Sequence, residues 1–220
     1  QHEVDDLHKQ LSGTLTVAIF DKTATNPQCR IPEALAKFDE LAPEVRPELH
    51  VAPINSIERG VIEGRFQVGV IPDHRPSSSL DYIPLFNEQM YLYCGATHPL
   101  FDVPDVNVTP ERIRACKYVG IGYHSPNMEV THQLEQQRDA TAYDQEAVAH
   151  LVLSGRYLGY LPTHYAAGFE QQGLMRALLP TMFEYVCQFS AIVRHSPQPT
   201  RITETFLAAL TTAHRNSLAH

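Results

Sequence analysis

The chain has 220 residues, of which 43% are hydrophobic and 19% charged, so it has apolar mass for one sizeable core or two smaller ones and is not of disordered composition. Seventeen Lys and Arg face 25 Asp and Glu, a formal charge of -8 with no basic stripe, which argues against these residues neutralising nucleic-acid phosphates themselves. The four cysteines, Cys29, Cys94, Cys116 and Cys187, are widely spaced and read as reduced thiols rather than a disulfide framework. Twelve histidines include no H-E-x-x-H or other tight ligand spacing, so no metal and no cofactor is expected.

The N-terminal QHEVDDLHKQLSG has no positive region followed by an apolar run, and no stretch approaches the ~20 apolar residues of a membrane span. A soluble, cytoplasmic protein without a membrane partner is expected.

In chain order, Leu15, Val17 and Ile19 alternate with Thr14, Thr16 and Ala18 in a mostly buried strand ending at Phe20. A polar loop, 21–28, leads to a helix with Pro32 in its first turn and Ile31, Leu35, Phe38 and Leu41 on one face; Pro43 and Pro47 close it. Leu49 to Ala52 reads as a second strand. Asn55 or Ser56 is expected to cap a helix carrying Ile57, Val61 and Ile62, with Gly64 ending it, and Phe66 to Ile71 is the third strand. The β-α-β-α-β order argues for a parallel sheet whose functional loops lie at the strands' carboxyl ends.

A Pro/Ser-rich loop, 73–79, precedes a strand at Met90 to Cys94 and a loop region with Pro99, Pro104 and Pro110. The pattern then restarts. A strand at 117–123 is followed by a helix at 128–138, a helix at 145–154, a strand at 157–161 ended by Pro162, and a short helix at 164–172 ended by Gly173. A strand at 185–193 and an amphipathic helix with Ile202, Phe206, Leu207 and Leu210 close the chain.

These residues resemble the effector-binding domains of LysR-type transcription regulators. Leu11-x-Gly13-x-Leu15-x-Val17 is similar to the family's entry into its first strand, and Pro32, Phe38 and Pro43 to its first helix and the turn after it. Gly64 followed by Phe66, Val68 and Val70 is similar to the end of its first unit, and His98-Pro99-Leu100 to its turn after the first crossover strand. The most specific stretch runs from Leu151 through Gly155, Gly159 and Leu161 to Pro162: a helix, a glycine turn, a glycine-bearing strand and a closing Leu-Pro. Gln67, where the family commonly carries an acidic residue, and the length of the loop after Pro72 depart from the pattern.

The resemblance implies an α/β fold of two Rossmann-like lobes joined by two crossover strands, like the type 2 periplasmic binding proteins. Residues 1–11 would be the end of a linker helix from an upstream winged helix-turn-helix. Residues 12–94 plus 187–215 would form lobe I and 95–186 lobe II, with crossover strands near Met90–Cys94 and Gln188–Val193. It further implies no enzymatic activity, a homodimer or homotetramer, and DNA contact only through the upstream head. A small-molecule effector, an organic acid or an aromatic metabolite, would sit in the interlobe cleft and control transcription.

Four loops qualify to hold it: Asp21, Lys22 and Thr23 after the first strand; Asn55 and Ser56 at the second helix; Tyr123, His124, Ser125 and Asn127 after the first strand of lobe II; Thr163 and His164 after the Leu-Pro closure. Ordinary capping accounts equally for Thr23, Ser56 and Ser125, a solvated lysine for Lys22, core filling for Tyr123 and a polar loop position for either histidine. Cys29, beside Arg30 before a helix, also fits a redox-sensing thiol. An exported solute-binding protein of a membrane transporter has the same fold and is the second reading; His98-Pro99-Leu100 and the unpaired pattern of cysteines favour the regulator.

Overall fold

The computed structural model describes residues 11–73, 75–122 and 138–217. The chain divides into two compact units. The first takes the described residues up to Pro72, then Pro76–Phe86, and those from Gln188 onward; the second takes the described residues of Asp73–Arg75 and Asn87–Cys187.

In the first unit, β1 (Ser12–Ile19) lies between two parallel partners. Along β2 (Glu44–Val51) the register runs from Ser12 opposite Glu44 to Ile19 opposite Val51; along β3 (Val68–Pro72) it sets Val17 opposite Val68. The residues of β9 (Glu184–Arg194) from Gln188 onward add antiparallel on the far side of β3, with Gly69 opposite Ile192. Helices α1 (Ile31–Leu41), α2 (Ile54–Ile62) and α6 (Arg201–Ser217) complete this unit. The ring of Phe38 on α1 meets that of Phe206 on α6 edge to face, 5.6 Å apart, and both are fully buried. Gly69 lets α2 approach the sheet: a Cβ there would stand 2.6 Å from Ile57 and 2.8 Å from Ile192.

Sequence period predicted these elements well, with local corrections. β2 begins at Glu44 and contains Pro47, so Pro47 does not close α1. β2 is the terminal strand of its sheet, where a missing ladder donor is tolerated. The N-cap of α2 is Pro53, in extended conformation and without a side-chain capping bond; Asn55 and Ser56 lie inside the first turn and cap nothing. Its far end closes as expected: Gly64, at φ +80°, lets the Arg65 amide reach the Gly60 carbonyl (2.8 Å) and the Gly64 amide reach Val61 (3.1 Å).

In the second unit, the later residues of the 16-residue β4 (Leu80–Gly95) pair antiparallel with β7 (Gly159–Pro162) and β8 (Met175–Ala177). β5 (Tyr118–Ile121) and β6 (Arg138–Ala142) are parallel neighbours. Helices α3 (Pro110–Arg114), α4 (Gln145–Leu153) and α5 (Thr163–Gln171) join them. Tyr93, Val119, Val148, Val152, Leu161 and Ala166 form the core under α4. Four elements here differ from expectation: a short 3-10 turn at Asp105–Asn107 and α3, both in what reads as loop, and β8 and β6. Arg138, expected to end a helix, instead begins β6; the rest of that expected helix, 128–137, lies outside the described residues.

His98-Pro99-Leu100 is held from two sides. The Leu100 amide donates to Nδ1 of His98 (3.0 Å), whose ring is buried and whose pKa is lowered by that burial. Nη1 of Arg176 donates to the carbonyls of Leu100 and Phe101, both at 2.9 Å, and of Val103, while Nη2 pairs with Asp105. One guanidinium thus gathers three loop carbonyls, its two Nη1 hydrogens shared among them, while the Leu100 carbonyl also accepts from the Val103 amide (3.4 Å).

Candidate effector site

The parallel pairing of β1 and β2 brings their carboxyl ends to one edge of the sheet, where the Ala52 amide reaches the Ile19 carbonyl at 3.4 Å. The loops that leave this edge are 20–30 and 52–53. The first is unusual for a surface loop, because Asp21, Thr23 and Asn26 are all buried. Its turns are built locally: the Asn26 amide donates to the Thr23 carbonyl (3.0 Å), Cys29 to the Asn26 carbonyl (3.1 Å), and Gln28 to the Asn26 side chain (2.9 Å). Lys22 has φ +60°, a left-handed conformation that disfavours any residue with a Cβ. Cys29, 9% exposed, lies at the end of the loop outside any disulfide, and the guanidinium of Arg30, the next residue, pairs with Glu33 (3.3 Å).

Asp21, Lys22 and Thr23 therefore sit together in one turn. Asn55 and Ser56 lie at the start of α2, following the neighbouring strand, with exposed side chains.

In the second unit, Thr163 and His164 are the first two residues of α5, directly after β7. Nε2 of His164 lies 2.7 Å from Oε2 of Glu88, and the two side chains are only 8% and 2% exposed. A buried carboxylate is costly unless paired, and His164 supplies a partner. Glu88 was not singled out from the sequence, although a signal was there. Phe86, Glu88, Met90 and Leu92 share one phase of β4's alternation, so the acidic residue stands where the pattern demands burial. Tyr123, His124, Ser125 and Asn127 lie outside the described residues.

Burial raises the thiol pKa of Cys187 and Cys116 and pushes that of Cys94 up to about 12, which disfavours the reactive thiolate at all three. Among the described residues no group of three or more His, Cys, Asp or Glu is arranged to hold a metal ion, and no helix is long and apolar enough to cross a membrane. A concavity lined by Phe66, Gln67, Arg194, Gln198, Thr200 and Thr203 opens at the opposite, amino end of β3 and includes none of the candidate residues.

Two α/β units, the first with buried polar groups where its parallel strands end, make up a small-molecule-binding scaffold of the type 2 periplasmic-binding-protein class. Residues 8–215 match the family model for the LysR substrate binding domain, and the chain belongs to that family: it is the effector-binding domain of a LysR-type transcriptional regulator. The chain is 37% identical over 208 residues to the HTH-type transcriptional activator BauR of Pseudomonas aeruginosa, covering 94% of this chain and 68% of BauR. Among solved structures, the fold is shared with the effector-binding domain of QuiR in complex with shikimate (TM-score 0.76, 11% identity, 94% of this chain and 99% of that one). It is shared too with the CcmR regulatory domain of Synechocystis PCC6803 in complex with 2-PG (TM-score 0.70, 17% identity, 93% and 99%).

Proposed function

We propose that this domain senses a small organic acid or aromatic metabolite through Asp21, Lys22, Thr23, Asn55, Ser56, Thr163 and His164, together with Tyr123, His124, Ser125 and Asn127. The effector is bound and released unchanged, and its binding biases the DNA contacts of a winged helix-turn-helix in a cytoplasmic homodimer or homotetramer. The observation that carries this reading is the buried polar loop after β1, which places Asp21, Thr23 and Asn26 at the carboxyl edge of the sheet. The likeness to QuiR with shikimate and CcmR with 2-PG supports an anionic effector for the same fold. Lys22 supplies positive charge, and the amino ends of α2 and α5, whose N-cap residues make no side-chain capping bond, present backbone N–H groups suited to one.

For a sensor the effector must favour one arrangement of the protein over another, since equal affinity for both shifts nothing. A thermal-shift screen of carboxylates and aromatic acids, followed by calorimetry, is expected to return a saturable ligand recovered chemically intact. The double variant Thr23→Ala, Ser125→Ala is expected to bind that ligand at least tenfold more weakly; unchanged affinity overturns the site assignment.

A further inference from the structure

His214, in the last turn of α6, is 3% exposed although it is a titratable residue. Its ring stacks on Phe86 of β4 at 5.6 Å and 20°. Nε2 lies 3.0 Å from the backbone amide of Arg30, and Nδ1 lies 2.7 Å from the Leu210 carbonyl. These two partners fix the tautomer, because a backbone amide only donates and a backbone carbonyl only accepts. Nδ1 therefore carries the proton, and Nε2 is a bare acceptor. Arg30 is the N-cap of α1 and the last residue of the loop that holds Asp21, Lys22 and Thr23. One imidazole thus ties the carboxyl end of α6 to the end of the loop proposed to hold the effector.

We propose that His214 is a proton-sensitive positioning residue, which holds the 21–30 loop while its ring is neutral and releases the loop when Nε2 takes up a proton. The proton comes from water and occupies the Nε2 lone pair; the Arg30 N–H then faces an N–H and loses its acceptor. The loss reaches the turns upstream, because the Asn26 carbonyl and side chain that organise Gln28 and Cys29 lie next along the chain. The charges acting on the ring are Glu33 on α1, which favours its protonation, and Arg30, which opposes it; α6 presents the Leu210 carbonyl and β4 the Phe86 ring. Burial outweighs the favourable carbonyl and carboxylate and lowers the pKa of His214 from the ordinary imidazole value. The latch is therefore closed at neutral pH and opens on acidification. Its meaning for effector binding rests on the proposed function; the tether itself does not.

The test is ¹⁵N NMR of the 220-residue chain from pH 7.5 to 4.5, without effector, in wild type, His214→Gln and His214→Phe. At pH 7.5 the His214 ring is expected in the Nδ1-protonated form, with the Arg30 amide exchanging at least tenfold more slowly than in His214→Phe. On acidification the amides of Thr23, Asn26 and Arg30 are expected to shift with the midpoint of the His214 ring. His214→Gln, whose Oε1 can accept from Arg30 but does not titrate, is expected to keep slow exchange and lose the pH response; wild type and His214→Gln suffice if His214→Phe does not fold. An Arg30 amide indifferent to His214 titration, an unaltered response in His214→Gln, or loop amides that move only in global unfolding overturns the proposal. A failed effector search leaves this result untouched, and a failed latch leaves the effector reading intact.

Discussion

Lys22, like Leu179, occupies a backbone conformation that glycine would adopt more cheaply, and of the two it is Lys22 that lies in the candidate effector loop. Lys22→Gly is expected to stabilise the domain by about 1 kcal/mol, a rise in Tm of roughly 2–4 °C for a chain of this size. If the lysine meets an anionic effector, affinity falls in the same variant. A melting curve beside a binding isotherm separates the two effects: higher Tm with unchanged affinity makes Lys22 an incidental left-handed residue. The His164–Glu88 pair lies at the same scale. The histidine was legible as a candidate because it follows a Leu-Pro strand end, whereas its partner lies 76 positions away, a separation no local pattern reports. His214 was missed for a related reason. It continues the buried spacing of Phe206 and Leu210 on α6, and a histidine in an apolar stripe reads as an interruption until the amide it accepts from is seen.

Among the elements, periodicity located the strands and helices whose faces differ in burial, and it erred where other constraints prevail. α1 and α6 were legible from Ile31, Phe38, Phe206 and Leu210. Pro47 reads as a breaker in the sequence and so shortens the expected β2, and only its place at the sheet's edge shows why proline is tolerated. β6, Arg138–Ala142, is mostly polar and has a single buried residue, Ala142, so alternation had little to report. The segment around His98 depends on one side chain rather than on period. Arg176→Met is expected to cost about 3 kcal/mol by removing the Arg176 donor from the carbonyls of Phe101 and Val103 and leaving that of Leu100 with the Val103 amide alone. Arg176→Lys is expected to recover little of this, since an ammonium cannot reproduce the planar fork. The check is urea unfolding at constant m-value; an unfolding free energy within about 0.5 kcal/mol of wild type rejects the clamp. The exposed Asp105 partner contributes little by comparison.

For the molecule as a whole, the order of elements conveyed the fold class, because β-α-β-α-β with short connections leaves few topologies open. The candidate site was legible only as a set of loops: the pattern of residues indicates where strands end, but not which loop side chains turn inward, as Asp21 and Thr23 do. Global stability carries a pH signature of two buried histidines. His98 and His214 both have pKa values lowered by burial, so below about pH 6.5 the unfolded chain takes up protons that the native state refuses. Stability is therefore full above pH 6.5 and is lost as pH falls through that value toward the folded pKa values. Denaturation midpoints between pH 7.5 and 5 are expected to fall in wild type and to fall less in His214→Gln; equal slopes would remove His214 from the account.

The central claim is that a family scaffold for small-molecule binding is used here to sense, and the most direct measurement is calorimetric titration of the domain with a screened carboxylate, followed by chemical analysis of the recovered compound. One site per chain, affinity reduced at least tenfold in Thr23→Ala, Ser125→Ala, and ligand returned unchanged are expected. A ligand consumed by the protein, or bound equally well by the double variant, would contradict it.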